Sequence, residues 1–238
     1  MTVRRAGLPL VLLALIGCRT PDPAVSCGAP LSDSIDRDVT VDLLVDDQLA
    51  PQAGETVRRA LLDWGQCHGA RVAVRVRVGR DLPVPFAIRH DALARLTPDA
   101  GQKSLTEPLA HLVRQMATPQ TVSLSVAVLR DLAPPESAAA LLLPELHGLG
   151  LPATATTTQN LPWLRDLPMH RVPMVLLSWA QMANQRPQEQ VATLAHEIGH
   201  ALGLAHDMRS GNAMAPQGGL WLDAAQVQAM RDAVDAVR

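Results

Sequence analysis

The stretch His-Glu-Ile-Gly-His-Ala-Leu-Gly-Leu-Ala-His, residues 196–206, constrains this chain more than any other feature. His196 and His200 are four apart, so on an α-helix they project about 40° from one another, on one face. Two neutral imidazoles so placed can bind one Zn²⁺, and Glu197, beside the first, can reach a water on the metal. Gly203 follows three residues after His200. Glycine takes positive φ without steric cost, so it can end the helix and turn the chain back. That turn brings His206 round as a third ligand and leaves a fourth position open. An amphipathic helix with incidental surface histidines would account for His196 and His200, but not for Gly203 and His206 in register.

Met214 stands eight residues beyond His206, inside Ser-Gly-Asn-Ala-Met-Ala-Pro. The whole pattern resembles the metzincin clan of metallopeptidases, whose motif ends in a methionine-containing turn beneath the metal. It is most similar to the matrixin-like branch and related bacterial enzymes. The resemblance implies a twisted mixed sheet over an active-site helix, an α/β (α+β) fold of zincin type. A small C-terminal subdomain would start at about 204 and end in a final helix. It further implies His196, His200 and His206 as ligands of one catalytic zinc ion, Glu197 as general base, and Gly203 and Met214 as structural support. Some metzincin branches use a tyrosine near the methionine turn; this chain has no Tyr, which suits a matrixin-like site. Asp207 can orient the turn through backbone amides or simply cap it in solvent.

The N-terminus reads as an export signal. Arg4 and Arg5 precede an apolar run, Leu8 to Ile16, too short to span a bilayer as a helix. The run ends in Leu-Ile-Gly-Cys, which resembles a bacterial lipobox. Residues 1–17 are then the signal peptide and Cys18 is the lipidation site. Residues 18–37 form a flexible tether, and 38–238 the catalytic domain. Three acyl chains on Cys18 would hold that domain at a membrane surface in the cell envelope. Arginine rather than aspartate at position 19 favours the outer membrane where there is one. Export exposes Cys27 and Cys67 to oxidising surroundings, so a disulfide between them is expected. The alternative is a latency role for Cys27, whose Cys-Gly-Ala-Pro context resembles the matrixin latency segment without its preceding arginine and following aspartate.

A net charge of −2 and scattered arginines argue against nucleic-acid binding. The periodicity predicts a strand over Asp38–Asp46 and a helix over Gln52–His68. A second strand, Arg71–Val78, has Val72, Val74, Val76 and Val78 facing in and Arg75 and Arg77 forming a solvated face. A helix around Ser104–Met116 and a strand over Thr121–Arg130 come next. Residues 133–145 suit a loop with a short helix. Leu146–Thr158 is assigned as an antiparallel edge strand able to pair with extended peptide, a surface loop being the alternative. Val172–Trp179 is an inner strand, and Pro187 opens the active-site helix. Asp223 caps a closing helix that carries Val227, Met230, Val234 and Val237. His68, His90, His111, His147 and His170 lack ligand spacing and are read as surface or packing residues.

The expectation is a zinc-dependent endopeptidase at the cell envelope, acting on peptide or protein substrates. The alternative is a catalytically inactive zinc lipoprotein that binds peptide or a protein partner.

Overall fold

Alternating branched residues between Asp38 and Asp46 build β1, the strand around which the sheet is laid. In this computed structural model β1 (Asp38–Asp46) is followed by α1 (Pro51–His68) and β2 (Arg71–Gly79). Further on come β3 (Leu124–Leu129), β4 (Gly148–Leu151) and β5 (Met174–Ser178). A short helix α2 (Trp179–Met182) leads to α3 (Pro187–Ala201), and α4 (Ala224–Ala236) is the last element. The structure describes residues 25, 27, 34–49, 51–83, 85, 108–116, 122–132, 147–153 and 172–237. The signal peptide, Cys18, most of the tether, residues 133–145, His90 and His170 lie outside them.

The five strands run in the order β2-β1-β3-β5-β4. β1 pairs in parallel with β2 and β3, β3 with β5 in parallel, and β4 runs antiparallel to β5. Side chains alternate across a strand, so each face builds its own core. One face carries Val41, Leu43, Val45, Val126 and Val128 against α1, α3 and α4. The other carries Leu44, Ala127, Leu129 and Leu176 against helical residues 108–116, through Leu109, Leu112, Val113 and Met116. The protein is thus an α/β fold with helices on both faces of a mixed sheet.

Helix α3 forms where a helix is expected to. Pro187 occupies its first turn, and the Glu189 side chain reaches back to accept from the Arg186 amide at 2.8 Å. Val191, Leu194, Ala195, Ile198 and Ala201 recur at helical spacing and are all buried. Each of the larger ones contributes about 2 kcal/mol through apolar burial. That fixes which face of α3 meets the sheet, and so which face presents His196 and His200.

β2 departs from expectation. Val72 and Val74 pack against the core, but Val76 is 45% exposed and Val78 69%. β2 is the outer strand of the described sheet, and its alternating pattern outruns the cover above it. The arginine face is also not simply solvated: Arg77 forms a bidentate ion pair with Asp42 of β1, whose side chain is 3% exposed.

Cys27 and Cys67 are joined by a disulfide with Cα atoms 5.0 Å apart, fastening residue 27 to the end of α1. Beside it, His68 is a fully buried packing residue, with neither ring nitrogen hydrogen-bonded among the described residues. Residues 34–37 are clasped to α4: Arg37 pairs with Asp235, and Arg231 donates to the Ser34 carbonyl.

Candidate metal centre and active site

Helix α3 ends in a glycine-dependent turn. Gly203 has φ +92, the Leu204 amide donates to the Gly199 carbonyl, and the Gly203 amide donates to the His200 carbonyl. This is the paired-bond C-terminal motif, and it needs a residue at ease with positive φ. The turn reverses the chain and swings His206 back towards the helix.

The three imidazoles converge. His200 Nε2 lies 3.1 Å from His196 Nε2 and 3.1 Å from His206 Nε2, and one ring nitrogen of each lies within 4.8 Å of the others. The protonation pattern follows from the backbone. His196 Nδ1 donates to the Ala213 carbonyl at 2.9 Å, and His200 Nδ1 donates to the Leu204 carbonyl at 2.9 Å. A carbonyl can only accept, so both Nδ1 atoms carry hydrogen. Burial, with smaller effects from the neighbouring rings, lowers His196 below the usual imidazole range and His200 to about 4. Both rings are therefore neutral near pH 7, with Nε2 lone pairs facing one another.

That arrangement is repulsive by itself and favourable around a cation. A tetrahedral zinc site with Zn–N bonds of about 2.05 Å has nitrogens about 3.3 Å apart. The donor set therefore fits a first-row divalent metal bound by three imidazoles, two of them with Nδ1–H held by a backbone carbonyl that fixes the ring.

Glu197 shares the helix turn with His196 and is 8% exposed. Burial pushes its carboxyl up to about 7, partly offset by a hydrogen bond from the Gly150 amide. A nearby divalent cation would favour the carboxylate and draw that value down again. β4 passes directly over this part of α3, since a side chain at Gly150 would strike the Glu197 carbonyl and His200 Cβ.

Met214 is fully buried beneath the helix, and a Cβ on Gly199 would meet its sulfur. The loop that carries it is tied to the histidine cluster twice. The Ala213 carbonyl orients His196, and the Asp207 amide, next to His206, donates to the Met214 carbonyl at 3.0 Å.

Asn212 holds this loop and was not singled out by sequence reasoning. It is fully buried; its Oδ1 accepts from the Met214 amide at 2.8 Å and its Nδ2 donates to Gln226 Oε1 at 2.8 Å. Gln226 completes a capping box with Asp223 at the start of α4, so the closing helix clamps the loop. An asparagine two residues before the buried methionine is the available signal, because asparagine side chains bond backbone amides two positions on. Asp207 does orient its turn, accepting from the Arg209 amide at 2.9 Å. The Arg209 guanidinium holds the Asp207 carboxyl down at about 2, pairs with Asp223, and lies over the Trp221 ring.

The expected site residues thus fall into two places. His196, Glu197, His200, Gly203, His206 and Met214 gather at the end of α3. Cys27 and Cys67 are bonded to one another at the end of α1, leaving no free Cys27 thiol to act on the histidines. Among the other histidines, His111 faces Gln115 on an exposed helix surface and His147 is exposed just before β4.

No family model matches this sequence, and no curated protein matches it. Among solved structures it is similar to metalloproteinase-II from Bacteroides fragilis, with a TM-score of 0.42 and 13% identity. The similarity covers 87% of this chain and 57% of that one, so this chain spans little more than half that structure's length.

Proposed function

We propose that this chain is a zinc-dependent endopeptidase of metzincin type, exported and held at the bacterial cell envelope through lipid on Cys18. The observation that carries the reading is the convergence of three imidazole Nε2 atoms one residue from a buried carboxyl, beneath β4 at one edge of the described sheet. His196, His200 and His206 would hold the ion. Zinc bound there supplies a Lewis acid that lowers the pKa of water and polarises a carbonyl.

The chain's own residues supply the rest. Glu197 accepts the proton of the attacking water and returns it to the leaving amine nitrogen. Burial raises its proton affinity above that of an exposed carboxylate, which favours the first transfer, and a bound cation would offset part of that rise. The Ala213 and Leu204 carbonyls fix two ligand rings in one tautomer. β4 runs antiparallel at the edge of the sheet, and its outward backbone groups suit an extended peptide laid alongside it.

The deciding experiment incubates purified protein, zinc-loaded, with a mixed peptide library beside its Glu197→Ala and His200→Ala variants. Glu197→Ala is expected to keep zinc and lose cleavage; His200→Ala is expected to lose both. Equal zinc occupancy in His200→Ala contradicts the ligand assignment. Stoichiometric zinc with no cleavage by folded wild type favours the second reading, a zinc lipoprotein whose cleft captures peptide without cutting it.

A further inference from the structure

Gly148 and Gly150 are two apart on β4, so both turn the same face, the one towards α3. Leu149 and Leu151 turn the other way into the opposite core. The two glycines clear different things. A Cβ on Gly148 would lie 2.5 Å from Glu197 Cγ, 2.8 Å from Cδ and 3.0 Å from Oε1, all atoms of one side chain. A Cβ on Gly150 would strike helix backbone at Glu197 and Ala201, as well as His200 Cβ. The ladder places the amides too. The His147 carbonyl accepts from Ser178 of β5, so by alternation the Gly148 and Gly150 amides point off the sheet. The Gly150 amide meets the Glu197 carboxylate.

The geometry points to a positioning role for Gly148 and Gly150, which we propose form a notch in β4 that seats the Glu197 carboxylate. Gly148 leaves the room and the Gly150 amide holds the oxygen. This deepens the peptidase reading and rests on it for its bearing on turnover. The seat also lies on the strand edge, so an incoming peptide meets a Gly150 amide already engaged by the enzyme's own carboxylate.

Glycine-selective ¹⁵N labelling tests the seat on metal-free, full-length protein, whose 15 glycines give a simple spectrum. In Glu197→Ala the Gly150 amide is expected to exchange with solvent about tenfold faster, having lost its hydrogen-bond acceptor. Gly148→Ala is expected to do the same, with zinc affinity and melting temperature as in wild type. The zinc-loaded Gly148→Ala protein is expected to lose about 100-fold in kcat, with KM within about twofold, as a displaced base and not a lost binding contact would require.

Unchanged Gly150 exchange in Glu197→Ala overturns the proposal, as does wild-type kcat in Gly148→Ala. If Gly148→Ala does not fold, Glu197→Ala alone decides, because it removes the carboxylate without adding an atom. A Gly150 amide that responds to Glu197→Ala in a protein that cleaves nothing sinks the peptidase reading and leaves the seat intact.

Discussion

Replacing His68 with leucine should make the protein more resistant to acid, by an amount the burial of His68 sets. The imidazole is fully buried at the end of α1, with both nitrogens unpartnered among the described residues and Trp64 its aromatic neighbour at 5.7 Å. Burial lowers it from 6.5 to about 4. Between those values the unfolded chain binds a proton that the native state refuses. Native stability therefore falls as pH drops through this window. The loss is complete near pH 4 and amounts to about 3 kcal/mol, at 1.36 kcal/mol for each pH unit. At pH 7.5 the neutral ring already costs something, since two polar atoms are desolvated without hydrogen bonds, so leucine should be about 1 kcal/mol better even there.

The measurement is urea unfolding of metal-free wild type and His68→Leu from pH 7.5 to pH 4, followed by tryptophan fluorescence. All other ionisable groups are common to both proteins, so their contributions cancel in the difference. The gap in unfolding free energy should widen by about 3 kcal/mol as the pH is lowered. A gap that stays constant would show that native His68 takes up its proton normally. It would refute the claim that it is sealed from water.

Other outcomes follow from the same contacts. Cys27→Ala/Cys67→Ala should lose about 4 kcal/mol by the loop-entropy relation, because the bridge closes a separation of 40 residues; a melting curve reads it directly. Arg77→Met strands the buried Asp42 carboxylate and should cost about 3 kcal/mol in denaturant unfolding, whereas Asp42→Leu/Arg77→Met should recover most of that. Zinc at about 1,000 times its dissociation constant should stabilise the protein by about 4 kcal/mol, an effect absent from His200→Ala and reversed by a chelator in calorimetry.

The histidine cluster was legible because its geometry is local. A four-residue spacing on a helix and a glycine-terminated turn are properties of eleven consecutive residues, and Gly203 adopts the positive φ that the spacing requires. β1 and α3 were likewise readable, since one period governs each and their apolar faces are buried throughout. What could not be read depends on neighbours distant in sequence. Val76 and Val78 carry the same alternation as Val72 and Val74, but β2 lies outermost, and strand order is not written into any one strand. Asp42 and Arg77 are 35 residues apart and meet only because β1 and β2 pair. The notch that receives Glu197 comes from a segment about fifty residues earlier, and two glycines in a strand look merely permissive until the helix beneath them is known.

The bond between Cys27 and Cys67 also has a mechanical side. Suppose tension enters the chain upstream of Cys27 while the cleft grips something downstream. The load then crosses the sulfur bridge straight to the end of α1, bypassing the 39 residues between. Those residues include all of β1, which is paired on both flanks and is the strand whose extraction would split the sheet. While the bridge is oxidised, a pull on this protein is carried past an interior strand of its sheet; once it is reduced, β1 becomes the first element in the line of force.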